Sequence, residues 1–211
     1  MKKGGVSFCS ALSLLYLCRI KKYNMSILKN ILLVIVAPKI GWEEVNRSSF
    51  PTQDLLSKAF YPLLAVLAIS EFIPMFFDST LTLSVSLMLA ITSFASYFIT
   101  LYLTSYLLDG FYPELNPTHS INSRHNDFII YSIIYLVLLK IIDNLMPTHF
   151  APLYFLVAYV IFIIYCGAEF AGIEVTDKNK LTKFVIIASA LIIFVPVIIQ
   201  LLLKGIFIHI N

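Results

Sequence analysis

Three ionisable residues lie within long apolar stretches of this sequence, where charged groups are costly. Glu71 interrupts the apolar residues 59–77, while Lys140 and Asp143 lie near the end of residues 128–146. A carboxylate or an ammonium group at membrane depth is retained where it is paired, hydrated or used in function. Such groups can form an ion pair, relay protons or line a transport path. These three residues are therefore the first candidates for a functional site.

Glu71 and Lys140 are expected at the same depth. Glu71 follows Lys58 by 13 positions, and Lys140 follows Asp127 by 13 positions. That number of helical residues rises roughly 20 Å, which places both side chains in the outer third of a bilayer. Three interpretations are open: an ion pair between two spans, snorkelling of each side chain to the outer headgroups, and a transport or proton-relay role. An ion pair predicts that removing one partner destabilises more than removing both, because a lone buried charge then remains.

Small and hydroxylated residues recur along the apolar residues 81–108. They step by 4, 3, 4, 3 and 4 positions, which places them on one face of a helix: Ser86, Ala90, Ser93, Tyr97, Thr100 and Thr104. Such residues let helices approach closely and hydrogen-bond to one another. The alternative is the polar lining of a conduction path. Helix packing is favoured, because no charged residue joins this stripe.

Catalytic and nucleic-acid-binding functions find no support in the residue patterns. The 7 glycines are dispersed, so no phosphate-binding loop can be built, and no zinc-binding or nucleophile motif is present. Glu43, Glu44 and Arg47 approach an intramembrane-protease pattern, but the spacing is one residue short and they lie outside the apolar stretches. The net charge of +3 is small and scattered. We expect no enzyme activity, no metal, no cofactor and no nucleic-acid partner.

The elements that carry the candidate residues are predicted to be membrane-spanning helices. Apolar residues make up 59% of the chain and charged residues only 13%, whereas soluble domains are nearer half apolar and a quarter charged. The apolar stretches are continuous rather than alternating, and each is close to the ~20 residues that cross a hydrocarbon core. Five spans are predicted, at residues 59–77, 81–108, 128–146, 150–168 and 184–203.

The distribution of basic residues predicts an orientation. Of the 15 Lys and Arg residues, all but Lys140 and Lys204 lie in segments that are internal when the N-terminus is inside. The positive-inside rule therefore favours an N-in, C-out, all-α integral membrane protein. The abundance of Ile, Lys, Asn, Phe and Tyr is typical of low-GC bacterial genomes, which favours a bacterial inner membrane.

Two units are predicted before the membrane domain of residues 56–211. Residues 1–24 carry a 13-residue apolar stretch, too short to span, and no signal-peptidase site follows it. We interpret them as a start-site extension or a surface anchor. Residues 25–55 are predicted to form a short amphipathic helix on the inner leaflet, ended by Pro38 and followed by a polar lead-in to the first span.

Residues 37–45, APKIGWEEV, resemble the opening of bacterial members of the Yip family, the membrane proteins named for Ypt/Rab-interacting proteins. Those members combine a short apolar helix, a Pro-Lys-x-x-Trp-x-x-Ile/Val element and five spans. The element is matched here by Pro38, Lys39, Trp42 and Val45. The resemblance extends over about residues 25–205. The glycine-rich loop and the Asp-Leu-Tyr-Gly-Pro segment of eukaryotic members are missing, which argues against Rab binding.

The resemblance implies a non-enzymatic multi-pass membrane protein that acts in membrane organisation or partner binding. Membrane lipids are the expected partners, together with a second copy of the chain or another membrane protein. The alternative, from the residues themselves, is a small transporter or channel subunit that uses Glu71, Lys140 and Asp143.

Overall fold

The computed structural model describes residues 26–48, 50–78, 80–115, 124–146, 152–173 and 176–210, and these residues contain helices and turns without any strand. The elements in chain order are α1 (Ser26–Val36), α2 (Pro38–Ser48), α3 (Thr52–Leu55), a π turn (Leu56–Phe60), α4 (Tyr61–Ser70), a 3₁₀ turn (Pro74–Phe76), α5 (Leu83–Leu115), α6 (Arg124–Leu145), α7 (Pro152–Gly167) and α8 (Lys178–Ile210). The extension predicted at residues 1–24 lies outside the described residues.

Four helical segments are long and apolar enough to cross a membrane: Thr52–Phe76, Leu83–Phe111, Asn126–Leu145 and Lys178–Gly205. The prediction of an all-helical chain with helices of spanning length is confirmed for the described residues. Residues 150–168, predicted as a further span, correspond to α7. Its 16 residues rise only about 24 Å, somewhat less than the ~30 Å hydrocarbon core of a typical bilayer.

Two prolines shape the first long helical segment. Pro62 has no N–H for the Lys58 carbonyl and its ring would collide with that group, so the chain widens into the π turn just before it. Pro74 likewise cannot donate to the carbonyl of Ser70, where α4 ends. The following hydrogen bonds close tighter turns, beginning with the bond from the Ile73 N–H to the Ser70 carbonyl at 3.0 Å. The span predicted at residues 59–77 is therefore α-helical only to Ser70.

Inter-helix contacts define the helix directions. Asn144 near the end of α6 bonds to Ser70 at the end of α4, so these helices run parallel. Gln200 of α8 bonds to Ser96 of α5. Because α8 begins beside the start of α6, whereas early α5 lies beside the end of α4, α5 and α8 are antiparallel. α6 lies in the middle of the bundle, since 72% of its apolar window is buried, against 39% or less in the other three long segments.

The bundle therefore has two distinct ends. At the Trp42 end, α6 and α8 begin and α7 finishes, as the 5.4 Å separation of the Phe128 and Phe184 ring centroids shows. At the Glu71 end, α4 and α6 finish and α5 begins. These two names are used below for the two ends of the helical bundle.

Candidate functional site

Glu71 is held at the Glu71 end by the termination of α4. It is the first residue after that helix, and it is only 4% exposed. The Ser93 hydroxyl of α5 donates a 2.6 Å hydrogen bond to Glu71 Oε1. A carboxylate can accept roughly four hydrogen bonds, and within the described part of the chain Glu71 accepts this single side-chain bond. Glu71 thus retains unused capacity as an acceptor.

A chain of polar contacts surrounds Glu71 and joins four helices. The Asn144 amide donates to the Ser70 hydroxyl at 3.0 Å, which links α6 to α4. The Ser96 hydroxyl donates to the Ser93 carbonyl at 2.9 Å and accepts from the Gln200 amide at 3.3 Å, which links α5 to α8. Because α4, α5, α6 and α8 all contribute, the position of Glu71 depends on the packing of the whole bundle.

Lys140 forms its ion pair along its own helix. Its Nζ lies 3.3 Å from Asp143 Oδ2, and the two side chains are 32% and 27% exposed. Among the described residues, Lys140 and Glu71 do not form an ion pair with each other. Of the three interpretations of these charges, the direct pair between spans is therefore not the arrangement found here.

A cavity of about 410 Å³ brings the charged groups together at the Glu71 end. Its polar lining consists of Glu71, Asp78, Ser93, Lys140, Asp143, Asn144, Gln200 and Lys204. Its apolar lining consists of Pro74, Phe77, Leu81, Leu89 and Met146. A volume of this size is typical of small-molecule sites, in which a few polar groups converge within apolar walls.

The cavity enters the bundle from one end. Ser93, on its wall, lies ten residues after the start of α5 at Leu83, which corresponds to about 15 Å along the helix. Phe77 and Asp78 follow the first long helical segment, are exposed and lie at the mouth, whereas Lys204 lines the cavity from α8. The described residues that line this pocket thus belong to the Glu71 end of the bundle.

Asp78 is fixed at the mouth by the turn that follows it. The Thr80 hydroxyl and the Thr80 amide N–H donate to Asp78 Oδ1 at 2.7 and 2.9 Å. These hydrogen bonds stabilise the carboxylate and hold the pKa of Asp78 below its ordinary value. Asp78 therefore presents a negative charge at the entrance over the physiological pH range.

The predicted stripe on α5 lies against neighbouring helices. All six of its residues are 7% exposed or less: Ser86, Ala90, Ser93, Tyr97, Thr100 and Thr104. Ser93 alone among them lines the cavity. The hydroxyls of Ser86 and Thr104 have no hydrogen-bond partner within the described residues, so these two side chains act there as small packing groups.

The residues that resemble the Yip element occupy the opposite end of the bundle. Pro38, Trp42 and Val45 are buried, whereas Lys39 is exposed. Trp42 Nε1 donates to the Ile163 carbonyl of α7 at 3.1 Å. Its indole ring contacts three aromatic rings at centroid distances of 5.0 to 5.7 Å, those of Phe128, Tyr131 and Phe170.

Two glycines permit this arrangement by leaving space for close contacts. A Cβ on Gly167 would lie 2.7 Å from the Trp42 ring and 2.8 Å from the Phe128 ring, distances at which atoms collide. A Cβ on Gly41 would collide with the backbone of Val34, because α1 and α2 fold back tightly on each other. The end of α7 and the α1–α2 turn therefore both require glycine.

The α1–α2 hairpin, residues 26–48, is closed by polar contacts between its two helices. Lys29 Nζ lies 3.1 Å from Glu44 Oε1, and the Asn30 amide donates to the Ser48 hydroxyl at 2.8 Å. The Tyr159 hydroxyl of α7 donates to the Ile35 carbonyl at 3.0 Å and attaches the hairpin to the bundle. The helix predicted to end at Pro38 ends at Val36, and the chain reverses at Ala37 into a second helix, α2, that was not predicted.

Several cavity residues were not identified from the sequence. Gln200 is the one strongly polar residue in residues 184–203, and Asn144 adjoins Asp143. Both are amide side chains within or at the end of a long apolar stretch. Such groups are rare there, so the sequence could have indicated these two residues as polar contacts. Asp78 and Lys204 carried no such signal, because charged residues at the ends of apolar stretches are ordinary.

The chain was compared with protein-family models, with curated proteins and with solved structures. None of the three comparisons found a match.

Proposed function

We propose that this chain is a non-enzymatic membrane protein of the Yip type, with five spans, an internal N-terminus and an external C-terminus. Its role would be membrane organisation or partner binding at the inner leaflet of a bacterial inner membrane. The observation that carries this proposal is the α1–α2 hairpin, which is attached to the bundle through Trp42 and still has apolar side chains on its outer surface.

The packing of α7 supports its assignment as a membrane span, the fourth of the five in chain order. The Tyr135 hydroxyl of α6 donates to the Leu156 carbonyl near the start of α7 at 2.7 Å. The finish of α7, at Gly167, lies against Phe128 at the start of α6. The helix therefore runs antiparallel beside the central helix of the bundle. Local thinning of the bilayer accommodates a span that is a few ångströms short.

The distribution of basic residues over the two ends supports the orientation. The segments at the Trp42 end carry Lys29, Lys39, Arg47, Lys58, Arg124, Lys178, Lys180 and Lys183. The Glu71 end has only Lys140 and Lys204 among its described residues. With the Trp42 end inside, the arrangement follows the positive-inside rule.

The outer surface of the hairpin is suited to the membrane interface. Leu28, Leu32 and Val36 are 53–77% exposed and recur every four residues, so they share one face of α1. Ile40 at the start of α2 is 60% exposed. Lys29 and Lys39 are also exposed. Helices with this combination lie in the headgroup region, with apolar side chains inserted and lysines close to anionic lipids.

Insertion of the hairpin can be measured with a polarity-sensitive fluorophore on a single cysteine at position 32 or 46. The three native cysteines are first replaced, and the protein is reconstituted with brominated lipids. We expect quenching and a blue-shifted emission for a label at Leu32. A label at Asn46, exposed on α2, should report water and serves as the matched control.

A membrane-organising role adds a second readout. Insertion of the hairpin enlarges one leaflet, so vesicles that contain the protein should be smaller than empty vesicles by electron cryomicroscopy. Leu32→Glu should abolish both the quenching and the size change, whereas Glu43→Gln should alter neither. An unquenched label at Leu32 in the folded protein would contradict the proposal.

Transport or ligand uptake is the second candidate function, and one observation favours it. The 410 Å³ cavity collects Glu71, Lys140 and Asp143 within the bundle. Proteoliposome uptake assays with Glu71→Gln separate the two candidates. A transporter loses its substrate-dependent signal while remaining folded, and a membrane-organising protein retains its effect on vesicle size.

A further inference from the structure

We propose that the cavity at the Glu71 end binds a small zwitterion, with the ammonium group of the ligand on Glu71 and the anionic group on Lys204. The proposal starts from these two opposite charges, which line one cavity. Within the described residues, neither Glu71 nor Lys204 forms an ion pair.

The other charges of the cavity are compensated to a greater extent than Glu71 and Lys204. Lys140 is paired with Asp143 at 3.3 Å. Asp78 accepts both the hydroxyl and the amide N–H of Thr80. A ligand therefore gains most by satisfying Glu71 and Lys204, because charge-assisted hydrogen bonds are stronger than neutral ones.

Glu71 and Lys204 lie at a similar depth in the bundle. The Gln200–Ser96 hydrogen bond fixes the register of α8 against α5. Toward the Glu71 end, Lys204 lies four residues beyond Gln200 and Ser93 lies three residues before Ser96. These offsets correspond to about 6 Å and about 4.5 Å along the two helices. Lys204 thus faces the cavity at about the level of Ser93, the residue that holds Glu71.

The surroundings of Glu71 favour an ammonium ligand. Glu71 is 4% exposed, so burial makes an uncompensated carboxylate costly, and an ammonium donor offsets that cost. Ser93 and Asn144, both 5% exposed or less, add neutral polar groups beside it. Two sources can present an ammonium group next to an anion: a free amino acid and the ethanolamine phosphate headgroup of a lipid.

The cavity is the one that the second candidate function uses as a transport site. The zwitterion proposal requires only that a ligand binds there, not that it is transported. Failure of uptake in proteoliposomes would exclude transport and leave the zwitterion site standing. Failure of the binding experiment below would exclude the zwitterion site, and it would leave the role of the α1–α2 hairpin untouched.

The experiment is isothermal titration calorimetry on the full-length protein in detergent. L-alanine and glycerophosphoethanolamine represent the two sources, and ethylammonium provides an ammonium group without an anion. We expect one of the two zwitterions to bind more tightly than ethylammonium. The zwitterion that binds identifies the source.

Two substitutions test the two contacts separately. Glu71→Gln retains an acceptor for Ser93 but removes the charge, and it should weaken all binding by roughly 10- to 100-fold. Lys204→Gln should weaken the zwitterion by roughly 10-fold and leave ethylammonium unchanged. Glu43→Gln and Lys183→Gln, both exposed in segments of the Trp42 end, are the matched controls.

Three results would overturn the proposal. One is the absence of binding by either zwitterion to the folded protein at millimolar concentration. Another is unchanged affinity in Glu71→Gln. The last is an equal loss for ethylammonium and the zwitterion in Lys204→Gln, which lies on an exposed helical position and should fold normally.

Discussion

The two ends of the bundle differ in the polarity of the side chains that form them. At the Trp42 end, aromatic rings, glycines and one indole hydrogen bond fill the space between α2, α6 and α7. At the Glu71 end, carboxylates, ammonium groups and amides surround a 410 Å³ cavity between α4, α5, α6 and α8. The first end is closely packed around Trp42, and the second encloses a cavity that has room for a ligand.

This difference separates stability from binding along one molecule. Close-packed aromatic contacts stabilise a fold because every atom has neighbours at van der Waals distance. Polar groups around a cavity contribute less to stability, because part of their hydrogen-bonding capacity is not used within the protein. Substitutions at the Trp42 end should therefore act on folding alone, whereas those at the Glu71 end should also change the binding of a ligand.

The largest expected effect is the loss of the Trp42 side chain. Trp42→Ala should reduce the free energy of unfolding by about 3–5 kcal/mol, because a buried indole is replaced by a void. Phe77→Ala at the mouth of the cavity, 56% exposed, should cost less than about 0.5 kcal/mol. Thermal unfolding in detergent measures both changes. Equal losses would remove the contrast between the two ends.

Gly167→Val should follow in size. The added side chain must displace the Trp42 and Phe128 rings, and overpacking of this kind costs about 1–3 kcal/mol. Gly110→Ala is the matched control, since nothing lies within 4 Å of a Cβ at that position of α5. Because alanine favours helix, that control should stabilise by about 0.5–1 kcal/mol. A tolerated valine at position 167 would show that the Trp42 end is loosely packed.

Ser93→Ala tests the polar end. It removes the donor to the 96%-buried Glu71, and an unsatisfied buried acceptor costs about 1–3 kcal/mol. A saturating ligand on Glu71 should recover part of this loss through binding linkage. Thermal unfolding of the variant with and without ligand gives both values. No loss in the absence of ligand would show that Ser93 does not hold Glu71.

Glu71 and Lys140 should behave almost independently. Because Lys140 pairs with Asp143 instead, the coupling energy in a Glu71→Gln and Lys140→Met double-mutant cycle should stay below about 0.5 kcal/mol. A direct ion pair would give a larger coupling, with the double variant more stable than Glu71→Gln alone. The cycle thus decides whether the two charges act as one unit.

Thr104→Val should have the smallest effect. The Thr104 hydroxyl is fully buried and has no partner among the described residues. Replacing it with a methyl group of similar size removes an unsatisfied polar atom, so the change should lie within about 0.5 kcal/mol or be stabilising. Thr100→Val is the comparison, because its hydroxyl donates to the Ser96 carbonyl at 2.6 Å. A marked loss in Thr104→Val would indicate a hydrogen bond at that position.

Much of the helical architecture follows from the sequence. Continuous apolar stretches identified the long helices, and the missing N–H groups of Pro62 and Pro74 account for the π turn and the end of α4. Glu71 and Lys140, expected at one depth, both line the same cavity, and their equal depth in a bilayer stays a prediction. The spacing on α5 likewise identified a face that is buried.

Partner choice could not be read from the sequence. Lys140 pairs with Asp143 because a residue three positions along the same helix is always near. A pair between Lys140 and Glu71 would depend on how α4 packs against α6. The contact between Ser96 and Gln200, 104 residues apart, depends on the rotation of two helices about their axes. That rotation results from packing over their full length, and no local pattern encodes it.

The most direct test of the account is a measurement of the side of the membrane on which each end of α7 is accessible. The native cysteines are first removed, and a single cysteine is then introduced at Met146 or at Thr176. An impermeant maleimide is applied to intact cells that express each variant. We predict labelling from outside at Met146 and only after permeabilisation at Thr176, as five spans with an internal N-terminus require. Labelling of both positions from the same side would contradict the assignment of α7 as a span, the orientation of both ends and the external position of the cavity.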